Sequence, residues 1–306
     1  MPDPVYAVID VGSNTVHMLV AAVAGGSLQS LDDCSEPIGL GIDLERDGEI
    51  SPARMAAAAA TVREYGERAQ EMGARAIWLL ATQAVRAASN RAVVVRALEE
   101  ASGLAVQVIE PDYEAELAAR GSGLIHHWRH PHLMVDIGGA STQLARMEDG
   151  RLTVTRSLPL GSGRLATHFS HDPPTQEEVN SLSEGIDRAL GLALEPFREA
   201  GLPLPAVVTG GAAKRVAKVA MGEPPVRVTR AQIEIALDRL LGSEALSIAC
   251  DYDLQEDRVP LTRVGALVLH ALFRLGALAE CLISPYGIRE GAVLAMAERD
   301  EGDESQ

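Results

Sequence analysis

Two glycine turns built to one pattern, 126 residues apart, constrain this chain more than any other feature. The first runs Val8-Ile9-Asp10-Val11-Gly12-Ser13-Asn14-Thr15, and the second Met134-Val135-Asp136-Ile137-Gly138-Gly139-Ala140-Ser141-Thr142. Each is an apolar run ending in an aspartate, then a Gly/Ser/Thr turn, then a second run, over 16–23 and 143–147. That grammar predicts a β-hairpin whose turn gathers backbone N–H groups and hydroxyls beside a carboxylate. Convergent N–H dipoles stabilise anionic oxygens, and glycine lets the backbone approach them, so Gly12, Ser13, Asn14 and Thr15 in one turn and Gly138, Gly139, Ala140 and Ser141 in the other are candidate phosphate ligands. Asp10 and Asp136 suit a hard metal ion, which calls for oxygen donors. Aspartate favours turns for its own sake, and either motif alone reads as a mere turn former; the matched pair carries the phosphate reading. A third glycine turn closes a third apolar run, Ala206-Val207-Val208-Thr209-Gly210-Gly211-Ala212-Ala213-Lys214.

The rest of the pattern repeats with the turns. Strands are expected over 5–9, 16–23 and 27–32, then a helix opening at Ser51-Pro52, an N-cap followed by proline at the first helical position. That helix turns Met55, Ala59, Val62 and Met72 inward, and a strand over 76–81, a helix over 90–101 closing on Gly103 and a strand over 105–109 come next. The second half predicts strands near 132–136, 142–147 and 151–158. A long helix opens with the capping box Thr175-x-x-Glu178 and points Val179, Leu182, Ile186, Leu190 and Leu194 inward. Another helix opens at Thr229-x-x-Gln232, an apolar helix covers 264–275, and a last strand covers 280–284. Three strands followed by alternating helix and strand, done twice, imply two similar α/β domains facing across a central cleft, where both glycine turns would point. The junction is placed between Arg120 and Pro131, giving domains 1–124 and 125–306, with the last helix free to pack back on the first domain. The acidic tail from Asp300 is expected to be a frayed, solvated end.

A chain of 306 residues suffices for two domains with sizeable cores. A formal net charge of −16 argues against broad binding to nucleic acid or anionic membrane, so any polyanion site must be a local basic pocket. Lys214 and Lys218 are the only lysines. Cys34, Cys250 and Cys281 are scattered, which fits reduced thiols in the cytoplasm better than a disulfide framework. The apolar start over 5–24 is interrupted by Asp10, Asn14 and His17 and lacks a basic leader, so it reads as neither signal peptide nor membrane span. The run His126-His127-Trp128-Arg129-His130-Pro131-His132 has histidines without regular spacing and reads as a hinge loop rather than a metal site.

These residues resemble the actin-like ATPase superfamily, with its ribonuclease H-like α/β domains, and more closely its exopolyphosphatase / guanosine pentaphosphate phosphatase (Ppx/GppA) family in the short two-domain form. Besides the two turns, the resemblance rests on Ala81-Thr82-x-Ala84-x-Arg86-x-Ala88-x-Asn90, Glu114-Ala115-x-Leu117, Leu158-Pro159-Leu160-Gly161-x-x-Arg164-Leu165, Thr209-Gly210-Gly211 and Ser284-x-x-Gly287-Ile288-Arg289-Glu290-Gly291. It implies metal-assisted hydrolysis of a terminal phosphoanhydride, with release of orthophosphate from inorganic polyphosphate or from guanosine pentaphosphate. It also implies Glu114 as general base, Asp10 and Asp136 as ligands of Mg²⁺ (or Mn²⁺), Arg86 and Arg289 as phosphate-holding arginines, and a possible homodimer. Pro111 reads as a first helical position, so Glu114 falls in an opening helical turn. The helix terminus lowers its pKa, and nearby phosphate charge would raise it again.

The chain departs from the family pattern at several points. Glu110-Pro111 and Asp112-Tyr113 replace Ser-Gly and a Glu-Glu pair before Glu114, and Ala140 replaces a third glycine. Gln143 replaces an acid, Gly39 replaces an arginine, and Ala212 and Lys214 replace a threonine and an arginine. The lost acid removes one possible metal or water contact. The leading reading is an exopolyphosphatase with guanosine pentaphosphate hydrolysis as its close variant. An ATP-dependent kinase of the same superfamily and a non-catalytic phosphate or alarmone binder are the competing classes.

Overall fold

The computed structural model describes residues 3–125, 128 and 130–304. It divides into two compact units, Met1–Leu124 with Tyr286–Gln306, and Ile125–Pro285. The first unit opens with β1 (Val5–Val11), β2 (Thr15–Ala24) and β3 (Ser27–Pro37). It continues through α1 (Leu40–Asp47), α2 (Pro52–Glu71), β4 (Ala76–Ala81), α3 (Gln83–Ala87), α4 (Arg91–Ser102), β5 (Val106–Val108) and α5 (Pro111–Ser122). The second unit holds β6 (His132–Ile137), β7 (Thr142–Glu148), β8 (Arg151–Leu158), α6 (Ser162–Ala166), α7 (Gln176–Ala193), α8 (Glu195–Glu199), β9 (Ala206–Thr209) and α9 (Gly211–Ala220). After these come β10 (Val226–Thr229), α10 (Arg230–Gly242), α11 (Ala245–Tyr252), α12 (Val259–Leu275) and β11 (Glu280–Ile283), and α13 (Ile288–Glu304) returns the chain to the first unit.

The first sheet has the order β3-β2-β1-β4-β5. Strands β1, β2 and β3 pair antiparallel as a meander, while β4 and β5 join parallel beside β1. The period-two alternation of β1 divides its side chains between two layers. Ala7, Ile9 and Val11 enter a core with Val62, Tyr65 and Leu98 of α2 and α4. Tyr6 and Val8 enter another with Leu117 of α5 and Val293 and Met296 of α13. Each fully buried aliphatic side chain of this kind contributes about 1.5–3 kcal/mol, so both layers are needed to hold the sheet. Asp10 continues the Tyr6 and Val8 side, which brings it to the α13 face.

Helices α5 and α13 approach through glycine. A Cβ on Gly121 would overlap the Gly287 carbonyl, and one on Gly291 would overlap the Leu117 carbonyl, so neither position accepts a side chain. Residues 300–304 of the polar run, which the sequence suggested would fray, continue α13 to its end. Tyr6 Oη donates to Asp300 Oδ2 at 2.8 Å, Arg75 pairs with the same carboxylate, and the Arg299 guanidinium lies 4.6 Å from the Trp78 ring centre. Tertiary partners far away in sequence supply what local propensity lacked.

The second sheet has the order β10-β11-β9-β6-β7-β8. Read from β8, the succession β8-β7-β6-β9-β11 repeats β3-β2-β1-β4-β5 strand for strand, with the same parallel and antiparallel pairings. Only β10, antiparallel on the β11 edge, is added. The duplicated α/β unit expected from the sequence is therefore present in both halves. Leu133, Val135 and Ile137 pack with Ile186 and Leu190 of α7 and with Val264 and Val268 of α12. The Thr175–Glu178 capping box forms as expected at the start of α7. Helices α1, α3, α6, α8 and α11 were not foreseen, since five to eight residues are too few to display a 3.6-residue period, and α9, of ten residues, was missed as well. No helix among the described residues is long and apolar enough to cross a membrane.

Candidate active site

The two turns close on the same backbone hydrogen bond. Gly12 N–H donates to Thr15 O at 3.1 Å, and Gly138 N–H donates to Ser141 O at 2.9 Å. In each unit a short helix after the third strand then takes the turn's carbonyls. Gly39 and Gly41, at the start of α1, donate to Asn14 O at 3.0 Å and to Ser13 O at 2.7 Å. Ser162 and Gly163, at the start of α6, donate to Gly138 O at 2.9 Å and to Gly139 O at 2.8 Å. With the carbonyls engaged, the N–H groups of Ser13, Asn14, Gly139 and Ala140 have no backbone acceptor among the described residues. That is the arrangement an oxyanion needs.

Gly39 also explains one departure from the family pattern. Its φ of +73 lies in the left-handed region, where an arginine would be strained, and a Cβ there would come within 2.8 Å of Arg54 Nη1, which would have to shift. Arg54 itself reaches this spot from α2, donating to Ile38 O and lying 3.2 Å from Asp43. Gly161 is equally constrained, because its Cβ would overlap the backbone of Ala140.

Around the first turn the site residues come from the carboxyl ends of β1, β4 and β5, where α/β sheets place their ligands. Thr82 N–H donates to Val11 O at 3.3 Å, which sets α3 beside the turn. Arg86 of α3 donates to Ile109 O and to Gln83 Oε1 at 2.9 Å, and its Nη1 lies 3.3 Å from Glu114 Oε2. Glu114 is 6% exposed in the first turn of α5, so the expected base and the expected phosphate arginine are partners. Asn90 of the same motif is structural: its amide exchanges bonds with the backbone of Ile50 at 3.1 and 2.7 Å. Gln83 was missed by the sequence reading, because a glutamine at an unspecified motif position carries no signal.

Arg289 is brought near Asp10, at the base of the first turn. Its guanidinium pairs with Asp33 of β3 and lies 3.9 Å from Glu290. Burial pushes the Asp10 carboxyl up to about 6, against the opposing pull of the Arg289 charge.

In the second unit Asp136 is buried, and Gly210 closes over it with φ +101. A Cβ on Gly210 would meet Asp136 Oδ1 at 2.9 Å, so the third glycine turn is seated on the base of the second. Lys214 Nζ donates to Pro285 O at 3.3 Å. Of the histidine run, His126, His127 and Arg129 lie outside the described residues; His132 is buried at the start of β6, and burial lowers its pKa.

Two buried side-chain oxygens accept no hydrogen bond and lack an ion partner within bonding distance among the described residues: Asp10 Oδ1 and Gln143 Oε1. One lies at the base of each turn, and an orphaned buried oxygen there fits a hydrated divalent cation. No group of three His, Cys, Asp or Glu converges on a metal cage among the described residues. The donor set suits Mg²⁺, which is usually held by one or two carboxylates with waters and substrate phosphates completing its shell.

A family model described as the Ppx/GppA phosphatase family matches residues 7–300. The chain belongs to that family. By class it is therefore a phosphoanhydride hydrolase. This Ppx/GppA member is 30% identical over 297 residues to exopolyphosphatase 1 of Mycobacterium leprae, covering 94% of this chain and 88% of that protein. It is 29% identical to exopolyphosphatase 1 of Mycobacterium tuberculosis strain H37Rv, over 94% and 86% of the two chains. The fold is shared with an exopolyphosphatase from Cytophaga hutchinsonii, with a TM-score of 0.85 at 21% identity over 96% of this chain and 98% of that one. It is shared too with the Aquifex aeolicus Ppx/GppA family member, with a TM-score of 0.83 at 22% identity over 97% and 98%. The two-domain actin-like α/β architecture implied by the sequence is that of these structures.

Proposed function

We propose that this Ppx/GppA member is an exopolyphosphatase, hydrolysing the terminal phosphoanhydride of inorganic polyphosphate with Glu114 as general base and Mg²⁺ as cofactor. The observation that carries the reading is the pair of matching turns, each closed by the same glycine-to-turn hydrogen bond and clamped through its carbonyls, with N–H groups left for an anion. The mycobacterial relatives, both exopolyphosphatases, favour polyphosphate as the substrate class.

In this reading the turn N–H groups hold the oxygens of the terminal phosphate. Asp10 and Asp136 would each offer a carboxylate oxygen to a divalent cation, which would supply neutralisation of phosphate charge. Arg86 adds a forked donor, and its tether to Ile109 O and Gln83 fixes the plane of that fork. Glu114 takes a proton from the attacking water. Its pairing with Arg86 holds it beside the arginine that would engage the phosphate.

The test is phosphate release from long- and short-chain polyphosphate and from guanosine pentaphosphate, with Mg²⁺ or Mn²⁺, by wild type and Glu114→Gln. The expected result is release from polyphosphate that falls by about 10²–10⁴-fold in the variant. Binding without release by wild type would make the protein a phosphate or alarmone sensor, and undiminished release by the variant would reassign the base.

A further inference from the structure

The strand register places Asp136 directly opposite Gln143 across β6 and β7. Side chains so paired leave one face of the sheet with Cβ atoms about 4.5–5.5 Å apart. Leu144 belongs to the apolar core on the other face, so Gln143 shares the face of Asp136. Gln143 is fully buried. Its Nε2 donates to Ser141 Oγ at 2.8 Å, which fixes the amide plane, while Oε1 accepts no hydrogen bond among the described residues. An unpaired buried carbonyl oxygen is a standing cost to the fold, one that a leucine of similar volume would not incur.

The first unit offers the same arrangement in another form. Asp10 lies opposite His17, as Asp136 lies opposite Gln143, and the unpaired oxygen there is Asp10 Oδ1 itself. Each turn thus holds back one buried oxygen acceptor at its base. In the second unit that acceptor is a neutral amide, fixed by the turn's own serine and adjacent to a carboxylate.

We propose that Gln143 Oε1 is an oxygen donor to the hydrated divalent cation at Asp136. The inference rests on the cation reading of the turns given above. Gln143 then keeps the contact that the loss of an acid would have removed, while leaving the second turn with one negative charge fewer. The free protein holds the cation weakly as a result, and the phosphates of the substrate complete its shell. A glutamine cannot take up a proton from water, so this position adds no second base to Glu114.

The experiment is Mn²⁺ titration of substrate-free protein by electron paramagnetic resonance, with Mn²⁺-induced change in melting temperature measured in parallel. Gln143→Glu should bind Mn²⁺ about tenfold more tightly than wild type, and Gln143→Leu about tenfold more weakly. Gln143→Leu should melt no lower than wild type without metal, since it removes the unpaired oxygen. Unchanged Mn²⁺ affinity in Gln143→Leu would overturn the proposal, as would weaker or absent binding by Gln143→Glu, which would mean that the amide N–H faces an anion. Because no substrate is present, failure of phosphate release and failure of this inference are separately visible.

Discussion

At Arg86 one guanidinium serves three acceptors, Ile109 O, Gln83 Oε1 and Glu114 Oε2. A lysine keeps the charge but cannot span all three, because its ammonium is a point donor without the planar fork. Each bond lost from a charged donor costs about 1.5–3 kcal/mol, so Arg86→Lys is expected to lower phosphate release roughly ten- to a hundredfold. Steady-state kinetics with polyphosphate check this, and wild-type kcat/KM in the variant would show that the fork does nothing. The sequence made Arg86 and Glu114 legible as residues of interest, but not as partners. They are 28 positions apart, and only the pairing of β4 with β5 brings α3 and α5 to one end of the sheet. Arg289 was legible in the same way, as an arginine in a recurring motif. Its neighbours, Asp33 and Asp10, come from β3 and β1, and no local pattern announces them.

At the scale of the element, the turns work because a short helix in each unit clamps them. Helices α1 and α6 have little length of their own, and their role is to present N-terminal N–H groups to the turn carbonyls. Neither was foreseen, whereas α7 was, because its capping box is written in four consecutive residues. Glu178 of that box accepts from the backbone N–H groups of Ser170 and Thr175 and from His171, which together hold its carboxyl down at about 2 from an ordinary value of 4.5. A carboxyl more acidic in the folded than in the unfolded chain stabilises fully above the unfolded value. That contribution is lost as the pH falls through the folded one. The second unit should therefore lose stability between about pH 4.5 and pH 2, and Glu178→Gln should flatten this dependence while melting lower at neutral pH. Thermal melts across that range decide it; parallel curves for the two proteins would remove the cap from the account.

At the scale of the molecule, the C-terminal helix belongs to the first unit although it is last in sequence. Without α13, the layer of Tyr6, Val8, Leu19 and Val23 loses the cover of Val293 and Met296. A fragment of residues 125–285 should melt cooperatively, whereas residues 1–124 alone should bind a hydrophobic dye until a peptide of residues 286–306 is added. Cooperative melting of 1–124 without the peptide would show that α13 is dispensable. The sequence alone determined every strand but β10, most of the longer helices, the duplication and both glycine turns, because each is encoded by short-range periodicity or by residues adjacent in the chain. Tertiary structure alone decided that Arg86 meets Glu114, that Arg289 lies near Asp10, that Gln143 keeps an unpaired oxygen beside Asp136, and that residues 300–304 continue a docked helix. Those outcomes depend on which surfaces the chain buries together, and burial couples residues without regard to their separation in sequence.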